Sequence, residues 1–318
     1  MIMFFAREGT GKCITPPGFF VNNGLKNDGL CDNFQEIHNS PCSLMGENWQ
    51  KEQVMPEVVV NGMKVHFLEK KSGASHSDMK IVFIHGSGGN AHLWQKAMGG
   101  LENEYDSLAV DLPGHGKSQG QGIKSIPEYG EFLKDFFDAL GMERVVLGGH
   151  SLGGGIVQNF ALKHPEKLRA ILLVGTGARL RVLPEALERT RQMAEGKIEP
   201  RFDPWGFARG VTREVLAEAE REWAQTTPLA RFQDLVACDQ FDAMKEVAEI
   251  RLPTLIICGR EDSLTPIKYS EYLKGKISGS KMEVIEGAGH MVMLEAPEAL
   301  SRMILTFLRS LDSSTPHR

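Results

Sequence analysis

Short runs of consecutive apolar residues recur along most of the chain, separated by stretches with a helical repeat. Lys80 to Ile84, Ser107 to Val110, Val145 to Leu147, Ala170 to Val174 and Thr254 to Ile257 read as strands buried on both faces. Met282 to Ile285 reads as an outer strand. Val58 to Phe67 reads as a hairpin around the turn Asn61-Gly62. Tyr129 to Leu140 carries apolar residues at helical spacing, and Pro297 to Leu311 reads as a closing helix. Buried strands alternating with helices predict an α/β architecture: a mostly parallel central sheet with helices on both faces.

That rhythm breaks between residues 178 and 248. Leu183 to Met193, Thr212 to Trp223 and roughly Ala230 to Phe241 read as helices, and no strand candidate falls among them. An inserted helical lid is expected there, with a run of ordinary crossover helices as the alternative. Residues 1–54 scatter glycine, asparagine, proline and cysteine without periodicity. They read as an irregular N-terminal arm on the main domain, as disorder, or as sequence ahead of a translation start at Met55. The expected organisation is therefore an arm over 1–54, a core over 55–177 and 249–318, and a lid over 178–248.

Composition narrows the function. The 318 residues carry a formal net charge of -5, so no basic excess points to nucleic acid. No apolar run approaches the roughly 20 residues that span a bilayer. The apolar start, Met1 to Ala6, is too short for a typical signal peptide. The five cysteines form no C-x-x-C pair, so neither a zinc knuckle nor a redox motif is indicated, and a reducing, cytoplasmic setting is expected.

Gly149-His150-Ser151-Leu152-Gly153 is a G-x-S-x-G motif between a strand and a helix start, the setting of a nucleophile elbow. A serine hydroxyl needs a base, and the base needs an orienting acid. His290, in Glu286-Gly287-Ala288-Gly289-His290, follows a strand end among small residues. Asp262 also follows a strand, with Glu261 as its rival in the same loop. The order Ser151, Asp262, His290 is that of a hydrolase built on such a sheet. His85-Gly86-Ser87-Gly88-Gly89 follows a strand too and can supply backbone donors to a developing oxyanion. The N–H groups of Leu152 and Ser87 are the candidates, with Gly88 a nearby alternative. A phosphate-binding loop is disfavoured, because no Walker lysine-serine pair or dinucleotide fingerprint follows the glycines.

His85 is expected to hydrogen-bond beneath that loop. His115 is expected in a tight turn at the cleft rim, within an architectural Asp111 to Ser118 segment. His150 fills the variable slot of the elbow, with its side-chain role open. Arg179 and Arg181 are expected to anchor the lid through ion pairs, the alternative being contact with a substrate anion.

Over about residues 56 to 312 the chain resembles the α/β-hydrolase superfamily, in its lid-bearing carboxylesterase, lipase-like and C–C hydrolase branch. The resemblance is carried by His85-Gly86, Asp111 to Ser118, Gly149 to Gly153, Gly259 to Pro266 and Gly289-His290. It implies an α/β-hydrolase fold with Ser151 as nucleophile, Asp262 as orienting acid and His290 as base. It also implies Ser87 and Leu152 as oxyanion donors, with Trp94 packing behind the hole. The serine separates the chain from dehalogenases and epoxide hydrolases of this fold, which use aspartate.

The expected activity is hydrolysis of carboxylic esters of short to medium acyl chain, without metal or cofactor. C–C bond or lactone hydrolysis is the alternative, and a non-catalytic binder of this fold is more remote. Meta-cleavage-product hydrolases often carry Asn-Ser-Met-Gly at the elbow, where this chain has His150-Ser151-Leu152-Gly153. Trp205, Phe207, Trp223, Phe232 and Phe241 line a pocket or form the lid's own core. The expected partner is a small-molecule ester, and a homodimer is admitted without being required.

Because residues 1–54 hold no motif, a chain starting at Met55 is expected to fold and to hydrolyse p-nitrophenyl esters. Loss of its circular dichroism signature would instead make the arm part of the core.

Overall fold

The computed structural model describes residues 56–73 and 79–313, so the expectations for residues 1–54 lie outside the described part. Eight strands form one sheet: β1 Glu57–Val60, β2 Met63–Lys70, β3 Lys80–Ile84, β4 Asp106–Val110, β5 Val145–His150, β6 Leu168–Val174, β7 Thr254–Gly259 and β8 Lys281–Ile285. The spatial order is β1-β2-β4-β3-β5-β6-β7-β8. β1 and β2 form the expected hairpin, and β2 pairs antiparallel with β4. From β4 onward every pairing is parallel.

The helices are α1 Gln95–Gly99, α2 Ile126–Ala139, α3 Leu152–Lys163, α4 Pro184–Ala194, α5 Arg213–Ala224, α6 Pro228–Gln240, α7 Lys268–Lys276, α8 Val292–Glu295 and α9 Pro297–Asp312. None is long and apolar enough to cross a membrane among the described residues. Three of them, α4 to α6, lie in the segment inserted between β6 and β7.

The unbroken apolar strands have a simple cause. Alternate side chains point to opposite faces, and both faces are covered. Val82, Ile84, Leu147, Ile171, Leu173 and Ile256 enter one core with α2 and α3 residues such as Phe136 and Phe160. Ile81, Phe83, Val146, Leu172, Leu255 and Ile257 enter the other with α9 residues such as Ile304 and Leu308. Trp94 belongs to this second core. It is fully buried and stacks on Phe83 of β3 at 4.5 Å between ring centroids.

Since β3 to β8 run in one direction, the loops that follow them open at one edge of the sheet. In open α/β sheets that edge is where ligands bind. The turn after β4 is built around Asp111. Its carboxylate accepts from the N–H groups of Ala91 (2.7 Å) and Lys117 (2.9 Å) and from His66 Nδ1 (2.6 Å). Burial alone would raise the Asp111 pKa, but these donors outweigh it and hold the carboxyl below its ordinary range.

The base of the insertion is fastened at the surface. Arg179 pairs with Asp242 through a β-bridge, and both Arg179 and Arg181 lie 3.6 Å from the Asp242 carboxylate. These are the anchoring ion pairs expected from the sequence, far enough into solvent to contribute little individually.

Candidate active site

Ser151 sits between β5 and α3 with φ 53° and ψ -114°, a conformation that side chains with a Cβ rarely adopt. The close packing of the turn requires its glycines. A Cβ on Gly149 would lie 2.2 Å from the Gly153 carbonyl oxygen, and one on Gly153 would lie 2.5 Å from that of Ile84. The serine's backbone is held at both ends. Its N–H donates to Val174 O (3.0 Å), and its carbonyl accepts from Thr176 Oγ1 (2.8 Å) and Gly155 N (3.2 Å).

Asp262 and His290, from the loops after β7 and β8, meet at 2.9 Å between Oδ2 and Nδ1. Both are 5% exposed. The other carboxylate oxygen accepts the N–H groups of Leu264 (2.9 Å) and Thr265 (2.8 Å), and Thr265 Oγ1 donates to Oδ2 (2.8 Å). Burial would raise the Asp262 pKa, but His290 and the Thr265 bonds bring it below the ordinary carboxylate value. Asp262 therefore stands ready as an anion. Glu261, its sequence rival, is exposed and accepts the N–H of Arg209 at 3.1 Å. Thr265 is a site residue that the sequence reading missed.

His150 joins the elbow to the His290 loop. Its Nε2 donates to the His290 carbonyl at 2.9 Å, and the two rings lie 4.5 Å apart. Burial and the neighbouring His290 push its pKa well below the ordinary histidine value, so it is neutral. Ser151 Oγ makes no hydrogen bond to His290, a contact that commonly tightens only with substrate in place.

The loop after β3 lies against the serine. A Cβ on Gly86 would be 3.1 Å from Ser151 Cβ. The N–H groups of Ser87 and Leu152 have no backbone or side-chain acceptor among the described residues. Leu152 is also the first residue of α3, where backbone donors are left over. Gly88, the alternative donor, is ruled out by its partner: its N–H donates to Asp234 Oδ2 at 2.7 Å.

Asp234, on α6 of the insertion, is the second residue missed. It is fully buried and also accepts from His115 Nε2 (2.8 Å) and from the Tyr129 hydroxyl (2.7 Å). His115 is therefore not at a rim but wholly buried. Its Nδ1 faces the Pro113 carbonyl at 3.0 Å, so both ring nitrogens face acceptors, an arrangement that favours the protonated ring. Burial would depress its pKa, but Asp234 overrides this and raises it. His85 behaves oppositely. Its Nδ1 donates to Gly86 O (2.8 Å), while its Nε2 accepts from Leu112 N (3.1 Å). Burial and nearby His115 lower its pKa to about 4.

The insertion also reaches the His290 loop. His290 N donates to Gly206 O at 2.6 Å. Glu295 accepts the N–H groups of Ala208 (2.8 Å), Gly289 (3.0 Å) and Met291 (3.0 Å). Burial still leaves the Glu295 pKa above its usual value, although these donors oppose it. Of the insertion's aromatics, Phe241 is 7% exposed and belongs to the main core, while Trp223 packs edge-on to Phe202. Among the described residues no cluster of histidine, cysteine, aspartate and glutamate could hold a metal ion.

The chain is similar to known proteins. The profile of the Alpha/beta hydrolase family covers residues 81–303, and the chain belongs to that family. A pimeloyl-[acyl-carrier protein] methyl ester esterase of Neisseria meningitidis is 28% identical over 246 residues, spanning 72% of this chain and 92% of that protein. A thermophilic esterase of known structure is 33% identical with a TM-score of 0.65, over 80% of this chain and 97% of its own. An esterase from Thermogutta terrifontis superposes with a TM-score of 0.71 at 24% identity, over 81% and 98% of the two chains, and supports the fold.

Replacing Asp234 with alanine strands three buried donors, one of them cationic. It is expected to cost about 3 kcal/mol in urea denaturation. It should also lower kcat at least tenfold by freeing the loop that carries Ser87. Unchanged kcat in a destabilised but folded variant would limit Asp234 to a structural role.

The two histidines set opposite pH limits. With its pKa lowered from 6.5 to about 4, His85 contributes stability in full above about pH 6.5 and loses it as pH falls towards 4. His115, raised from 6.5, contributes in full below that pH and loses stability as pH rises through its folded-state value. Histidine Cε1–H resonances followed from pH 4 to 9 should show one ring neutral down to the acid end and another charged above 6.5. Two rings titrating together near 6.5 would contradict the assignment.

Proposed function

We propose that the protein is a serine carboxylic ester hydrolase acting on small esters of short to medium acyl chain. The observation that carries this reading is the buried Asp262–His290 pair beside a serine held in the elbow conformation. Asp262 orients His290 with its Nε2 free to act as base. His290 takes the Ser151 proton as the hydroxyl attacks the ester carbonyl. The N–H groups of Ser87 and Leu152 receive the oxyanion, the alcohol leaves with the proton, and water then cleaves the acyl-enzyme through the same base.

The esterases among its relatives support an ester substrate. Residues 178–248 are the lid of this site, over a core of 55–177 and 249–318; the Gly88–Asp234 bond supports that division. A cytoplasmic location and the option of a homodimer belong to the same reading and rest on the sequence.

A panel of acyl esters, lactones and a vinylogous diketone, with Ser151→Ala as the blank, tests the proposal. Short and medium esters should dominate kcat/KM, each useful methylene adding up to about 0.8 kcal/mol until the pocket is full. Ser151→Ala should lose about 10⁴-fold or more while keeping its fold. A folded Ser151→Ala variant with a tenth of wild-type kcat/KM would overturn the mechanism. A hundredfold preference for the diketone would move the assignment to C–C hydrolysis.

A further inference from the structure

One face of α6 is turned towards the loop that carries Ser87. Residues 231, 234 and 238 recur at the spacing of a single helical face. Cys238 Sγ lies 3.4 Å from Ser87 Oγ, and Asp234 takes the Gly88 N–H. Arg231 packs directly on Gly88. A Cβ there would be 2.9 Å from Arg231 Cγ and 3.8 Å from its Nε, so the absence of a side chain at residue 88 makes room for the arginine.

Arg231 is only 8% exposed. Its Nη2 donates to the carbonyls of Trp223 (2.8 Å) and Thr226. Its Nε and Nη1 are buried without a hydrogen-bond partner. No carboxylate among the described residues forms an ion pair with it. The nearest acid on the same face, Asp234, is already committed to Gly88, His115 and Tyr129. Burial alone acts on its pKa, lowering it to about 10, so the group remains a cation at neutral pH. A buried cation with idle donors and no counter-ion is costly to maintain. Trp223 covers one face of the guanidinium at 3.5 Å. Nη2 is spent on the two carbonyls, so the donors left for a carboxylate are Nε and Nη1, each engaging a single oxygen.

Resting on the ester hydrolase reading, we propose that Arg231 recognises a carboxylate on the substrate, making the preferred substrates esters that carry a second, ionised carboxyl group. Gly88 adjoins Ser87, whose N–H would face the ester carbonyl, so the carboxylate belongs a short chain away from the reacting carbon. Monoesters of short dicarboxylic acids are the chemical class described.

The test compares monomethyl with dimethyl esters of succinate, glutarate and adipate, with wild type, Arg231→Lys and Arg231→Gln. Wild type should favour the monoester over the neutral diester by at least tenfold in kcat/KM, mainly through KM. Arg231→Gln should lower that ratio at least tenfold, and Arg231→Lys should retain part of it. Free glutarate should raise the melting temperature of wild type but not of Arg231→Gln. Equal losses on monoester and diester in Arg231→Gln, or no preference in wild type, would overturn the proposal. If wild type hydrolyses the diesters without preference, the carboxylate proposal fails alone. If it hydrolyses neither these nor the p-nitrophenyl esters, the ester hydrolase reading fails with it.

Discussion

The strained backbone at Ser151 is the constraint around which the sheet edge is organised. A non-glycine residue at φ 53° costs on the order of 1–3 kcal/mol and persists only where its surroundings over-determine it. Here β5 and α3 leave no slack: Gly149 and Gly153 press backbone on backbone, and the serine's own N–H and carbonyl are both taken. The strain lifts the hydroxyl clear of the sheet and leaves the first amide of α3 beside it. Loops from β3, β7 and β8 then need only short reaches to the same point, because all end at one edge.

Buried polar groups tie those loops together. Asp111, Asp234, Asp262 and Glu295 each gather several donors, and each joins segments remote in sequence. Low polarity strengthens such bonds and makes every missing partner expensive. The histidines follow the same logic. Burial lowers the pKa of His85 and His150 and favours their neutral rings, whereas Asp234 raises that of His115 and favours its charged form.

The parallel strands were legible because each is buried on both faces, which leaves continuous apolar runs that no amphipathic helix produces. Ser151 and His290 were legible because glycine-rich turns at strand ends advertise a presented side chain. The choice of Asp262 over Glu261 came from the family resemblance; adjacent residues of one loop point in different directions, and the coordinates show Glu261 turned to Arg209. Asp234 and Glu295 look like ordinary charges on helices, and nothing nearby marks them as buried. The partners of Asp234 lie between 105 and 146 residues away. Thr265 did leave a signal, since an aspartate followed three residues later by threonine fits a local side-chain to backbone turn.

The bonds that run from Gly206 and Ala208 to the His290 loop have a consequence for how separable the inserted helices are. In sequence they form one continuous stretch between two strands, as a removable module would. In bonding they supply the acceptor for the His290 amide and a donor to the carboxylate that braces its neighbours. Excising or exchanging the stretch would therefore not uncover a finished core. It would take away part of the bracket on which the histidine is mounted, so a graft between relatives must carry both ends of those bonds together.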